Sequence, residues 1–144
     1  LRDRVTRLNQ AFRSAIIEEG YAGNYRGAYP IKVNQQRHVV DIIREAGRGD
    51  TLGLEVGSKP ELIAVLAIHD TPEALLLCNG YKDAEYIELA LLAKKLGRRS
   101  ILIIEQMYER DKVLEVASKV GIEAEIGLRM KPVTKGSGRW EASS

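Results

Sequence analysis

A primary amine at Lys32, carboxylates at Glu55 and Glu105, an amide at Asn79 and a guanidinium at Arg129 recur along the chain at intervals of 23, 24, 26 and 24 residues. Each closes a short apolar run. Together they offer the parts of a covalent nucleophile, a proton-transfer partner and an anion clamp. Lys32 is the first residue to suspect of bond formation, because it ends the strand-like run Tyr29-Pro30-Ile31-Lys32-Val33-Asn34 just before a helical pattern. Desolvation would push such a lysine toward its free amine, which attacks an aldehyde to give a Schiff base.

Each of these residues also has a purely structural reading. A lysine at a strand end commonly keeps its head in solvent. Glu55 could orient Lys32, assist proton transfer or simply neutralise a cation, and Arg129 could hold a phosphate or carboxylate or pair with Glu125 or Glu105. Ser58, with Glu61 three residues on, reads as an N-cap and capping box. The run Asn79-Gly80-Tyr81-Lys82-Asp83 could line a pocket, or supply a turn at Gly80 and a helix cap at Asp83.

The elements that must carry these groups follow from periodicity. Leu1, Val5, Leu8, Phe12 and Ile16 recur at helical spacing and Gly20 follows, so the chain opens with an amphipathic helix. Strands are expected over 29–33, 52–56, 74–78, 100–105 and 123–129. Between them, helices are expected over 39–47, 60–68, 83–96 and 108–120, with Gly47, Gly97 and Gly121 as stops. Strand–helix units of this kind give a parallel sheet through right-handed crossovers.

An open sheet of flavodoxin type and part of an eight-unit barrel both satisfy that pattern. Strand alternation puts Lys32 with Ala28 and Pro30, Glu55 with Gly53, and Arg129 with Gly127 and Glu125. That face is small or charged, whereas the other carries Tyr29, Ile31, Val33, Leu52, Leu54, Val56, Ala124, Ile126 and Leu128. A barrel is therefore favoured, and about five units in 144 residues are expected to be an incomplete one, a piece of a longer chain.

Composition narrows the function classes. With 22 basic and 20 acidic residues, the formal charge of +2 gives no reason to expect nucleic acid or a membrane surface. One cysteine, Cys78, allows no internal disulfide and reads as a small core residue. His38 and His69 lie apart, so neither a metal cluster nor a Ser-His-Asp arrangement is expected. No signal-peptide pattern or membrane-length apolar stretch is present, and the cytoplasm is the expected compartment. The stretch 131–140 (KPVTKGSGRW) is basic and glycine-rich and could cradle phosphate, although it fits neither the Walker nor the dinucleotide spacing.

Three segments carry a family resemblance: Tyr29-Pro30-Ile31-Lys32-Val33-Asn34-Gln35-Gln36, Leu52-Gly53-Leu54-Glu55-Val56-Gly57-Ser58-Lys59-Pro60-Glu61-Leu62 and Cys78-Asn79-Gly80-Tyr81-Lys82-Asp83. With Ile126-Gly127-Leu128-Arg129 and Gly136-Ser137-Gly138-Arg139-Trp140, their order and spacing resemble the biosynthetic arginine decarboxylases, among the pyridoxal-phosphate decarboxylases with an alanine-racemase-like barrel. The resemblance implies that Lys32 holds pyridoxal 5'-phosphate covalently, that Glu55 is an acid near it, that Glu61 matches a further acidic position on the following helix, and that Arg129 lines the cofactor site. It implies decarboxylation of L-arginine to agmatine in polyamine biosynthesis, with diaminopimelate, ornithine or carboxynorspermidine decarboxylases and a non-catalytic pyridoxal-phosphate carrier as alternatives. It further implies homo-oligomers and allows Mg2+ in the full-length enzyme. On this reading residues 1–144 are the N-terminal part of the barrel, inactive alone, because the remaining barrel and a C-terminal β domain belong to the longer protein. An open-sheet receiver module is the competing class, but it would require an acid where Lys32 stands.

Overall fold

Short apolar runs alternate with helical stripes through the chain, and the computed structural model, which describes residues 1–130, turns that alternation into five parallel strands. In order, the elements are α1 (Arg2–Glu18), β1 (Ala28–Pro30), α2 (Arg37–Gly47), β2 (Gly53–Val56), α3 (Lys59–Leu66), β3 (Leu75–Cys78), α4 (Ala84–Lys95), β4 (Arg99–Ile104), α5 (Met107–Val120) and β5 (Ile126–Leu128). Every strand lies beside its successor, in the order β1-β2-β3-β4-β5. An open doubly wound sheet reverses its order at a switch point; this sheet does not, so it winds in one direction as a partial (β/α)8 barrel does. The stretch 131–140 lies outside the described residues.

One face of the sheet forms the core. Leu54, Val56, Leu76, Cys78, Leu102 and Ile104 are buried there with Leu62, Val65, Ile87, Leu91, Val113 and Val116 from the following helices. Their alternation with half-buried neighbours along β3 and β4 is the period-two pattern of a strand covered on one side. On β5 the same parity leaves Ile126 and Leu128 exposed.

The opposite face differs from the sequence expectation. It does carry Glu55 and Gly127, but register places Leu77 beside Glu55 and Ile101 beside Leu77, so the middle strands are apolar on both sides. The expectation of a small or charged face holds on β1, β2 and β5 only.

Helix ends follow the local chemistry. Gly20, Gly97 and Gly121 take positive φ after α1, α4 and α5, as expected. Gly47 does not: it is the last residue of α2, and a Cβ there would stand 2.3 Å from Leu52 Cβ. Close packing accounts for this glycine, and the left-handed residue is Thr51, after a 3-10 turn over Arg48–Asp50. The apolar stripe of α1 leaves Leu8 and Phe12 exposed; its buried residue is Asn9, whose amide donates to Asp50 Oδ2 at 2.6 Å.

Candidate active site at the carboxyl edge of the sheet

Because the strands are parallel and in sequence order, their carboxyl ends meet along one edge, where the five spaced polar residues fall. Lys32 departs from the expected strand register. The strand stops at Pro30, which pairs with Glu55, and Ile31–Val33 winds into a single 3-10 turn. Alternation therefore ends before Lys32: Ile31 is buried and Lys32 is exposed. Residues 1–130 thus leave the Lys32 side chain uncovered. Its turn is nonetheless held, because the Tyr29 hydroxyl donates to Asn34 O at 3.1 Å and Asn34 Oδ1 accepts from Gln36 N at 3.0 Å.

Glu55, at the end of β2, accepts from Asn79 Nδ2 at 3.0 Å, and no carboxylate among the described residues lies within ion-pair distance of Lys32. The anticipated Glu55–Lys32 pair is thus replaced by a cross-strand tie to β3. Arg129 realises one of its two anticipated pairs. Its backbone N–H donates to Ile104 O at 3.0 Å, extending the ladder, and its Nη1 donates to Glu105 Oε1 at 3.3 Å. Glu125 instead lies 3.1 Å from Lys94 and 3.8 Å from Arg99, toward the other end of the sheet.

The intervening turns are tied to one another. Gly80, at φ +76, donates its N–H to Glu105 Oε1 at 2.9 Å, and a Cβ there would stand 2.3 Å from Gly57 O. Ser58 caps α3 by accepting from Glu61 N at 3.4 Å, whereas Glu61 reaches past the cap residue to Gly57 N at 2.6 Å. Asp83 caps α4 through Tyr86 N at 2.8 Å, and Lys59 beside it holds its carboxyl below the usual range. Burial pushes the Tyr86 hydroxyl up, so it stays protonated and serves as a donor 3.3 Å from Val56 O and 3.1 Å from Asn79 O.

Sequence reasoning missed the Lys82–Glu109 pair. Both side chains are 0% exposed and lie 3.6 Å apart beneath the two turns. Lys82 was visible only as part of a polar run, and Glu109 lies unmarked within the helical stripe expected over 108–120. Neither setting predicts burial. His38 and His69 stay apart from this edge, His38 exposed on α2 and His69 buried after α3. Among the described residues, no group of three or more His, Cys, Asp or Glu side chains could hold a metal ion.

Residues 2–144 match the family described as pyridoxal-dependent decarboxylase, pyridoxal binding domain. The biosynthetic arginine decarboxylase of Gloeobacter violaceus is 53% identical over 144 residues, which are 100% of this chain and 22% of that protein. The one from Thermosynechococcus vestitus is 50% identical, covering 100% of this chain and 23% of its own length. Among solved structures, the biosynthetic arginine decarboxylase of Campylobacter jejuni superposes with a TM-score of 0.80 at 29% identity, covering 88% of this chain and 21% of that one. The chain thus spans about a fifth of the length of the relatives it matches.

Proposed function

The chain belongs to the pyridoxal-dependent decarboxylases, matching their pyridoxal binding domain, and on that premise we propose that it forms the N-terminal part of the cofactor-binding barrel of an enzyme that decarboxylates L-arginine to agmatine and CO2. The observation that carries this reading is that the carboxyl edge of an unbroken parallel sheet carries Glu55, Glu105 and Arg129, with Lys32 on the turn that directly follows β1. The donor set suits pyridoxal 5'-phosphate, since a primary amine bonds an aldehyde and a guanidinium pairs with an anion. When bound, the cofactor supplies an acceptor for the electron pair left by departing CO2.

The roles of this chain's residues follow from their chemistry and position. Lys32 is exposed on a pinned turn, so its amine is free to bond the cofactor aldehyde. Glu55, held by Asn79, places a carboxylate on the strand next to β1, where it orients the reacting amine or exchanges its proton. Arg129, held by Glu105, contributes a fixed positive charge that favours an anionic group of cofactor or substrate. The rest of the barrel, in this reading, covers Lys32.

A small amino-acid substrate, a cytoplasmic location and self-association complete the proposal, with exposed Ile126 and Leu128 as surface that further chain or another copy would cover. No helix among the described residues is long and apolar enough to cross a membrane. Mg2+ has no place in the steps derived from these residues. The test is to incubate the full-length protein carrying this chain with pyridoxal phosphate and arginine, ornithine or diaminopimelate, and to identify the amine formed. Agmatine from arginine is expected; turnover of another amino acid in its place, or of none, would overturn the reading.

A further inference from the structure

Glu109 sits in the first turn of α5, where an acid ordinarily caps the helix at the protein surface. It performs that task, since its Oε2 accepts from Glu105 N at 2.7 Å and Gln106 N at 3.3 Å. Capping requires neither burial nor a cation. Yet the carboxylate is 0% exposed and faces the equally buried ammonium of Lys82 at 3.6 Å. Its Oε1 accepts from Lys82 N at 3.3 Å, and Lys82 Nζ donates to Gly80 O at 2.6 Å. One carboxylate therefore spans from the β4–α5 turn to the β3–α4 turn and holds the backbone of both.

Two links to the candidate site hang from those turns. Glu105 accepts from Gly80 N and from Arg129 Nη1, and Asn79 donates to Glu55. Arg129 and Glu55 are thus each one hydrogen bond away from a residue in a turn that the buried pair secures. A buried ion pair is an inefficient source of stability, because desolvating both charges offsets most of their attraction. What it offers over an apolar pair is direction: the carboxylate fixes three backbone N–H groups and the ammonium one carbonyl.

We propose that Lys82 and Glu109 are positioning residues, which set Glu55 and Arg129 for catalysis by locking the β3–α4 turn to the β4–α5 turn. The reaction they serve rests on the proposed decarboxylase reading; the locking of the turns does not. They touch none of the residues assigned to bond formation, so their effect passes through Glu105 and Asn79.

The test uses the full-length protein carrying this chain and the double variant Lys82→Met/Glu109→Gln. Glutamine retains an acceptor for the α5 cap while the charged link to the other turn is lost. Hydrogen exchange without pyridoxal phosphate is expected to accelerate at the Gly80 and Lys82 amides, with Glu105 and Gln106 still protected. With cofactor, kcat for arginine is expected to fall by about 10- to 100-fold while KM changes by less than about 3-fold. Unchanged exchange overturns the proposal, as does faster exchange with unaltered kcat, or loss of protection throughout the sheet. If the double variant does not fold, Lys82→Gln/Glu109→Gln is measured with the same expectations; if neither folds, the pair is a requirement of the fold and the proposal fails. A wild-type protein that does not act on arginine removes the functional reading alone, since the exchange measurement stands apart from turnover.

Discussion

Replacing Gly80 by alanine tests whether the turns at the sheet edge are built around a close backbone approach. Two costs add at this position. The residue is at φ +76, where an L side chain costs about 1–2 kcal/mol. The new Cβ would also stand 2.3 Å from Gly57 O, a backbone atom that cannot rotate aside, and prising tightly packed groups apart adds about 1–3 kcal/mol. Gly97 is the control, because its φ of +74 is nearly the same and nothing lies within 4 Å of a built Cβ. Gly97→Ala is therefore expected to cost only the first amount, about 1–2 kcal/mol. Native-state hydrogen exchange at the slowest amides of β2 and β3, in the full-length protein, gives both losses on one scale. Equal losses in the two variants would refute the close-approach argument. Arginine turnover adds a second reading: Gly80→Ala should reduce it, because Gly80 N then shifts away from Glu105, and Gly97→Ala should not.

Burial, with the Arg98 charge as the next cause, lowers the pKa of His69 below its ordinary 6.5, so the unfolded chain takes up this proton first. Stability is then full above pH 6.5 and declines as pH falls toward the lower folded value; His69→Gln should flatten this part of a stability–pH curve, and identical slopes would remove the assignment. Hydrogen bonds from Arg44 and Arg48 hold the Asp70 carboxyl down at about 2, from 3.8. Its contribution is present above 3.8 and lost as pH falls through about 2, so Asp70→Asn should destabilise at neutral pH and become indistinguishable from wild type at the acid limit. Burial pushes the Cys78 thiol up to about 11, so native protein at neutral pH should resist alkylation until unfolded, and rapid native labelling would contradict its place in the core.

Much of the fold was legible because its signals are local. The run that became β3 is apolar throughout and that of β4 is apolar from Ile101 to Ile104, Ser58 and Asp83 sit where helix caps belong, and Gly97 and Gly121 follow helical stripes directly. The spacing of Lys32, Glu55, Asn79, Glu105 and Arg129 was legible for the same reason, as one polar residue per strand–helix unit. What escaped depends on relations between units. Whether Lys32 continues β1 or leaves it is settled after Pro30 by a 3-10 turn, and the residue pattern of so short a run does not separate the two. Leu77 and Ile101 share a face with Glu55 only through inter-strand register. Lys82 and Glu109 are 27 residues apart, and isolated in sequence each resembles an ordinary surface charge.

The central claim is that Lys32 carries pyridoxal phosphate at the carboxyl edge of this sheet. Its most direct test is to load the full-length protein with pyridoxal phosphate, reduce with borohydride, digest, and map the modified lysine by mass spectrometry. The account predicts the cofactor's mass on the peptide containing Lys32 and its loss in Lys32→Ala. A modified lysine anywhere else in the protein, with Lys32 untouched, would contradict it.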